Sequence, residues 1–286
     1  MRQLKTSEAA ALLGVSPSTL RAWERRFGFP RPQRSAGRQR LFTHGEIAAL
    51  RDALQDGLSI SSAVSRAREG IAGDAGSLIG ALVAFERERA DAAIEAALAL
   101  RPLERCVQEV LLPTLDEIAT RSGQDSAAWA FATGWAEDWL RRARRMAPPP
   151  SRPASVLIGD ACGGGPDPDA ARLRALELFL ARAGLDVVSL PARAVAGLGD
   201  LLAVRPPAVA VIAGTALADD RVGRWAYALR PAGPIPVAIY RRPAPRGGRM
   251  HELPDEPGAA TRLLMELTAA EVAAWTAPAS RRAAWL

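Results

Sequence analysis

Residues 4–50 read LKTSEAAALLGVSPSTLRAWERRFGFPRPQRSAGRQRLFTHGEIAAL, and their punctuation is that of two short helices, a basic hairpin and a third helix. Thr6 or Ser7 is expected to cap a helix whose apolar positions Ala9, Ala10, Leu12 and Leu13 turn inward, and Gly14 ends it. Ser16 then caps a second helix, with Pro17 at its first position and Leu20, Trp23, Glu24 and Phe27 following at helical spacing. Two short helices joined by a tight glycine turn make a helix-turn-helix, and the second is short enough to enter a major groove. Its outward positions are Ser18, Thr19, Arg21, Arg25 and Arg26. The prolines at 30 and 32 force an extended path, and Ala36-Gly37 turns it between basic arms, so Arg34, Arg38 and Arg40 are placed on a hairpin wing facing phosphates. Thr43 is read as capping a third helix to residue 56, and residues 60–69 as a fourth.

Charge singles out the same module. Residues 1–69 carry twelve Lys or Arg against six acids, which accounts for the whole chain's net +6. A basic excess confined to one small module is the footprint of nucleic-acid binding. With 286 residues and 49% hydrophobic composition the chain holds enough apolar surface for two or three cores. Its two cysteines, Cys106 and Cys162, stand far apart without Cys/His spacing, which argues against disulfides, structural zinc or any metal site. There is neither a secretory leader pattern nor an 18-residue apolar run, and a cytoplasmic protein is expected.

The run from residue 3 to about 69 resembles the DNA-binding domain of the MerR family. Its segment WERRFGFPRPQR is similar to the light-responsive, cobalamin-binding repressors of the CarH and LitR type. The resemblance implies a multidomain α and α/β protein: a winged helix-turn-helix over 1–70, a four-helix bundle over 77–147, and a Rossmann-like, cobalamin-binding-type (flavodoxin-like) α/β domain over 154–276. It puts Ser16, Thr19, Arg21, Trp23 and Arg25 at the recognition helix and Arg34, Arg38 and Arg40 in the wing. Trp23 is open to two roles, packing the helix pair or touching the DNA backbone. The implied partners are double-stranded DNA with a pseudo-palindromic operator and a second copy of the chain, in a dimer or higher homo-oligomer, with a protein or small-molecule effector and no membrane.

The middle segment supports the same architecture. Residues 70–76 (GIAGDAG) read as a hinge, and four helices follow over 77–87, 89–100, 103–121 and 126–147, with Pro113 kinking the third. In the family a Trp and a Glu-His pair on such a bundle cover cobalamin; Ser122, Ala132 and Thr133 stand in those places here. Phe131, Trp135 and Trp139 form an i, i+4, i+8 stripe, read first as bundle core and second as a wall for a flat ligand. Beyond the stiff linker PPPSRP, strands over 155–159, 187–190, 208–213 and 236–240 alternate with helices over 169–183, 195–204, 219–229 and 258–275, which predicts a doubly wound parallel sheet.

The first glycine-rich loop, residues 159–169, fails as a dinucleotide fingerprint, because Pro168 replaces the last glycine, and as a P-loop. By resemblance it corresponds to the loop that supplies cobalt's lower histidine, and Asp169 stands in that place. A carboxylate is a poor substitute for imidazole there. Asp167 and Pro168 also read simply as the start of a helix. The expectation is therefore a DNA-binding transcription regulator, a repressor by resemblance, with no catalytic residues and no cofactor. Cobalamin or another tetrapyrrole is kept as the lesser alternative, and a corrinoid-linked enzyme component as a further one.

Overall fold

The computed structural model describes residues 3–34, 40–243 and 250–276, and it divides into two compact units, residues 1–123 and 124–286. In the first unit a short strand β1 (Gln3–Lys5) leads into α1 (Thr6–Leu12) and α2 (Pro17–Phe27). Neither Thr6 nor Ser7 is the cap of α1: Lys5 occupies that position, and its N–H donates to the Glu8 carboxylate at 2.8 Å. The shift follows from β1, which extends the chain up to Lys5 and pairs antiparallel with β3 (Arg40–Thr43) from Gln3↔Thr43 to Lys5↔Leu41. Gly14 and Gly28 adopt φ of +66° and +59°, the left-handed region that lets each helix stop where the turn needs it. Strand β2 (Gln33–Arg34) pairs antiparallel with β3, so the wing hairpin is present; its tip, with Arg38, lies outside the described residues.

Leu20 and Phe42, fully buried with Leu4, Ala9, Ala10 and Ile47, join α1, α2 and the wing to α3 (His44–Gln55). Burial of a side chain of this size contributes about 1.5–3 kcal/mol. A second cluster of Phe29, Leu50, Ala53, Ala63, Val64 and Ala67 packs α3 on α4 (Ile60–Val83). The expected hinge at 70–76 is absent from the backbone, since α4 is one helix of 24 residues that runs through it. Glycine costs about 1 kcal/mol in a helix interior, and at 70, 73 and 76 that cost is offset by the buried residues on either side, Ala63, Val64 and Ala67 before and Leu78, Ala81 and Leu82 after. Helix α5 (Arg87–Leu100) folds back on α4, and α6 (Leu103–Cys106), a π turn (Val107–Leu111) and α7 (Leu112–Ser122) complete the unit. Pro113 is accommodated by that π turn, in which Leu112 N–H reaches back five residues to the Val107 carbonyl.

In the second unit α8 (Ala127–Arg145) packs on α9 (Ala170–Arg182), with Ser126 capping α8 by accepting from Trp129 N–H. Strands β4 (Ser155–Asp160), β5 (Asp186–Pro191), β6 (Val209–Ala213), β7 (Val237–Tyr240) and a short β8 (His251–Glu252) form a sheet in the order β5-β4-β6-β7-β8, every described pair parallel. Residues alternate across it: Val156, Ile158, Val209 and Val211 face α9 and α12 (Pro257–Thr276), while Leu157, Ala210 and Ile212 face α10 (Leu198–Val204) and α11 (Asp219–Ala228). This is the expected doubly wound sheet, and its strands are short apolar runs because both faces are covered. Strand β8 was not foreseen, since two residues carry no periodic signal.

Candidate nucleic-acid interface and ligand cavity

Helix α2 divides cleanly into two faces. Leu20 is buried and Trp23 and Phe27 are half-buried, whereas Ser18, Arg21, Arg25 and Arg26 are exposed. Ser18, Arg21 and Arg25 follow at i, i+3 and i+7, so they stand in one outward row. Ser16 is committed to the helix: its Oγ accepts from Thr19 N–H at 3.1 Å and lies 2.7 and 2.8 Å from the hydroxyls of Ser18 and Thr19. Trp23 packs against both apolar clusters of the N-terminal head, which runs from β1 to the first half of α4, and this is the packing role of the two. Arg26 stacks 5.2 Å from the Phe27 ring.

The wing arginines separate. Arg34 lies on β2, and Arg38 is outside the described residues. Arg40 turns toward α2 instead of outward, its Nε donating to both Glu24 oxygens at 3.0 and 3.2 Å. The pair braces the returning strand of the wing against the groove-entering helix. Sequence spacing gave no sign of it, because Glu24 and Arg40 are 16 positions apart.

Among the described residues, the aromatic stripe of α8 is not part of the cavity that this helix lines. Trp135 and Trp129 are fully buried and Phe131 and Trp139 half-buried, while a different face of α8, with Ala130, Thr133, Gly134, Glu137 and Arg141, lines a cavity of about 450 Å³. The loop 162–166 and Asp160, Ala170 and Arg174 form its other side, at the carboxyl ends of the strands where open α/β sheets bind ligands. A larger cleft of about 860 Å³ lies among proline-rich loops at the amino ends, the side such sheets do not use.

Charges under the smaller cavity are paired. Arg174 bridges Asp160 and Glu177, and Arg144 reaches Glu177 at 2.8 Å and the Val187 carbonyl at 2.7 Å. Burial pushes the Glu137 carboxyl up, against the opposing pull of Arg141. Asp169, only 5% exposed, accepts from Arg241 Nε at 2.9 Å and from the Thr215 hydroxyl at 3.1 Å, using one oxygen for each. Arg241 has a φ of +55°, and its other arm meets Asp255 at 3.2 Å. Asp167, read as a helix start, accepts from Asp169 N–H just ahead of α9 and also ties the loop by accepting from Gly163 N–H.

Cys162, on the cavity wall, is the thiol that sequence reasoning passed over. Burial pushes it well above the usual thiol range, and Asp160, Asp167 and Asp169 add to the effect. Since the thiolate is the nucleophile, iodoacetamide is expected to label Cys162 in the native protein at pH 8 at least about ten-fold more slowly than in the urea-unfolded chain. Equal rates by peptide mass analysis would contradict this environment.

Comparison with known proteins places the head first. Residues 5–42 match the model of the MerR family regulatory proteins. The repressor CarA of Myxococcus xanthus is 31% identical over 255 residues, covering 82% of this chain and 85% of CarA. This chain therefore belongs to the MerR family, in the group of CarA- and CarH-like regulators, and it is a DNA-binding transcription regulator, not an enzyme. The repressor CarH of the same organism is 27% identical over 143 residues, 42% of this chain and 48% of CarH. The regulator MlrA of Escherichia coli is 47% identical over 45 residues, 16% of this chain and 18% of MlrA. Among the described residues no helix is long and apolar enough to cross a membrane, and no cluster of three His, Cys, Asp or Glu could hold a metal ion.

Proposed function

We propose that the chain is a sequence-specific repressor that binds a pseudo-palindromic operator as a homodimer or higher homo-oligomer, through α2 and the wing. The observation that carries the reading is the exposed row Ser18, Arg21, Arg25 on a helix whose opposite face is packed and whose flank is braced by Arg40. Duplexes selected by the protein from a random pool are expected to share inverted half-sites about one or two helical turns apart. Their affinity falls with salt at a slope of about −0.9 per phosphate neutralised. Recovery of no motif sinks the reading.

We further propose that the second unit regulates without cobalamin. The residue at the lower-ligand place does not suit it: Asp169 offers, in place of an imidazole, carboxylate oxygens already engaged by Arg241 and Thr215. A cavity of about 450 Å³ suits a ligand at the small end of the drug-sized range, about 300–1,000 Å³, rather than a corrinoid with its nucleotide tail. A second reading, a small effector in that cavity, draws on the same volume and on its place at the strand ends. Protein produced with cobalamin supplied is expected to lack corrinoid bands in its visible spectrum. Their presence overturns the first reading, and a stoichiometric small molecule in the native mass supports the second.

A further inference from the structure

The hairpin wing leaves the head after Arg31 and returns to it at Glu46, and one side chain from outside the head meets both places. Arg105, on α6, is 9% exposed. Its Nη1 and Nη2 donate to the two Glu46 oxygens at 2.9 and 3.0 Å, a bidentate fork whose acceptor is itself only 4% exposed. Nε donates to Glu109 at 2.8 Å, Nη2 lies 2.7 Å from the same carboxylate, and Nη1 stands 3.5 Å from the Arg31 carbonyl oxygen. The five N–H groups of the planar guanidinium are thereby all directed at acceptors. Glu109 belongs to the π turn that immediately follows α6, so the far side of the fork is anchored in a locally irregular helix.

A buried ion pair contributes little net stability compared with apolar residues of the same volume, but it fixes geometry, because only one arrangement satisfies the fork. Glu46 is the third residue of α3, directly after the wing strand β3, and Arg31 directly precedes the approach to β2. We propose that Arg105 is a positioning residue for DNA recognition: it holds both ends of the wing against α6, so that the wing meets the duplex at a fixed angle to α2. The proposal rests on the DNA-binding reading above. It adds that α6, which lies outside the helix-turn-helix, sets the pose of the wing.

The test uses the full chain in three forms: wild type, Arg105→Met/Glu46→Leu, which removes the fork without stranding a buried charge, and Arg105→Lys, which keeps the charge and loses the fork. Two readouts are taken, binding to duplexes selected by the wild type and amide exchange in peptides spanning 27–34 and 40–47. Both variants are expected to melt within a few degrees of the wild type and to bind selected duplex about ten-fold more weakly, the loss typical of one base pair's discrimination. The slope of affinity against salt is expected to stay the same, since the exposed arginines are untouched. Exchange in the two peptides should quicken, while that of α5 and α7 stays as in the wild type. Unchanged exchange overturns the clamp, whatever DNA does. Binding by the lysine variant equal to wild type overturns the requirement for a fork, and tighter binding by either variant shows the contact to restrain the head instead. Failure of the wild type to select any motif sinks the DNA-binding reading, whereas the exchange data still judge the clamp.

Discussion

Arg21→Ala combined with Arg25→Ala is expected to weaken binding to selected duplex at least about 30-fold at moderate salt, since contacts of this kind are each worth about 1–3 kcal/mol when they reach base edges. The slope of log affinity against log salt should fall by about two if both contacts are to phosphates and by less if one is to a base. Both side chains are exposed and lie on the face of α2 opposite Leu20, so the melting temperature should hardly move, as for surface substitutions generally. Fluorescence anisotropy over a salt series measures affinity and slope together. Full affinity in the double variant would remove α2 from the interface. Arg40→Ala offers a contrast: it frees Glu24 and loosens the wing brace, so affinity falls while the carboxylate it leaves behind adds repulsion toward phosphate.

The second large effect concerns the sheet. At Gly159 an added Cβ would meet the Trp225 ring at 2.9 Å, closer than such atoms pack, and Trp225 is fully buried among Leu157, Ile212 and Ile239. The missing side chain on β4 is the space in which the indole lies. Trp225→Ala is expected to cost about 3–5 kcal/mol, the usual toll of emptying a tryptophan site. Gly159→Val should cost about 1–3 kcal/mol through overpacking. Because the two positions share one space, Gly159→Ala should be milder in a Trp225→Leu background than alone. A fall in melting temperature does not say which of the two units has weakened, so protection of β4 and β6 amides against exchange is the measurement. Additive costs would show that the two positions do not compete.

Much of this could be read before any coordinates, and the division between what could and could not follows sequence distance. Gly14, Ser16-Pro17 and Gly28 act through their own backbone or that of the next few residues, so the helix-turn-helix was plain. Strand–helix alternation in the last 130 residues is likewise a local pattern, and it predicts parallel strands without fixing their order. Residues 70–76 misled because glycine's weak helix preference was weighed without the buried residues flanking it. What stayed hidden were contacts between distant partners: Arg40 with Glu24, Arg105 with Glu46 59 positions away, and Asp169 with Arg241 72 positions away. Arg105 did leave one trace, an arginine between Leu103 and the apolar run Cys106–Val107, where only a paired charge is tolerable. The cavity residues Glu137, Arg141 and Arg174 left none, and the aromatic stripe, read first as core, lies on a different face of α8 from them.

The unbroken α4 has a consequence for how this protein can evolve. Its first half packs on α3 in the head, its second half carries the buried Leu78, Ala81 and Leu82, and both belong to one rod about 36 Å long. Each residue of an α-helix turns the chain by about 100°, so inserting or deleting one between 69 and 77 would swing the head's bearing by more than a quarter circle. Length there is quantised: lineages can change it comfortably only in steps of about seven residues, two full turns, which restore the original phase.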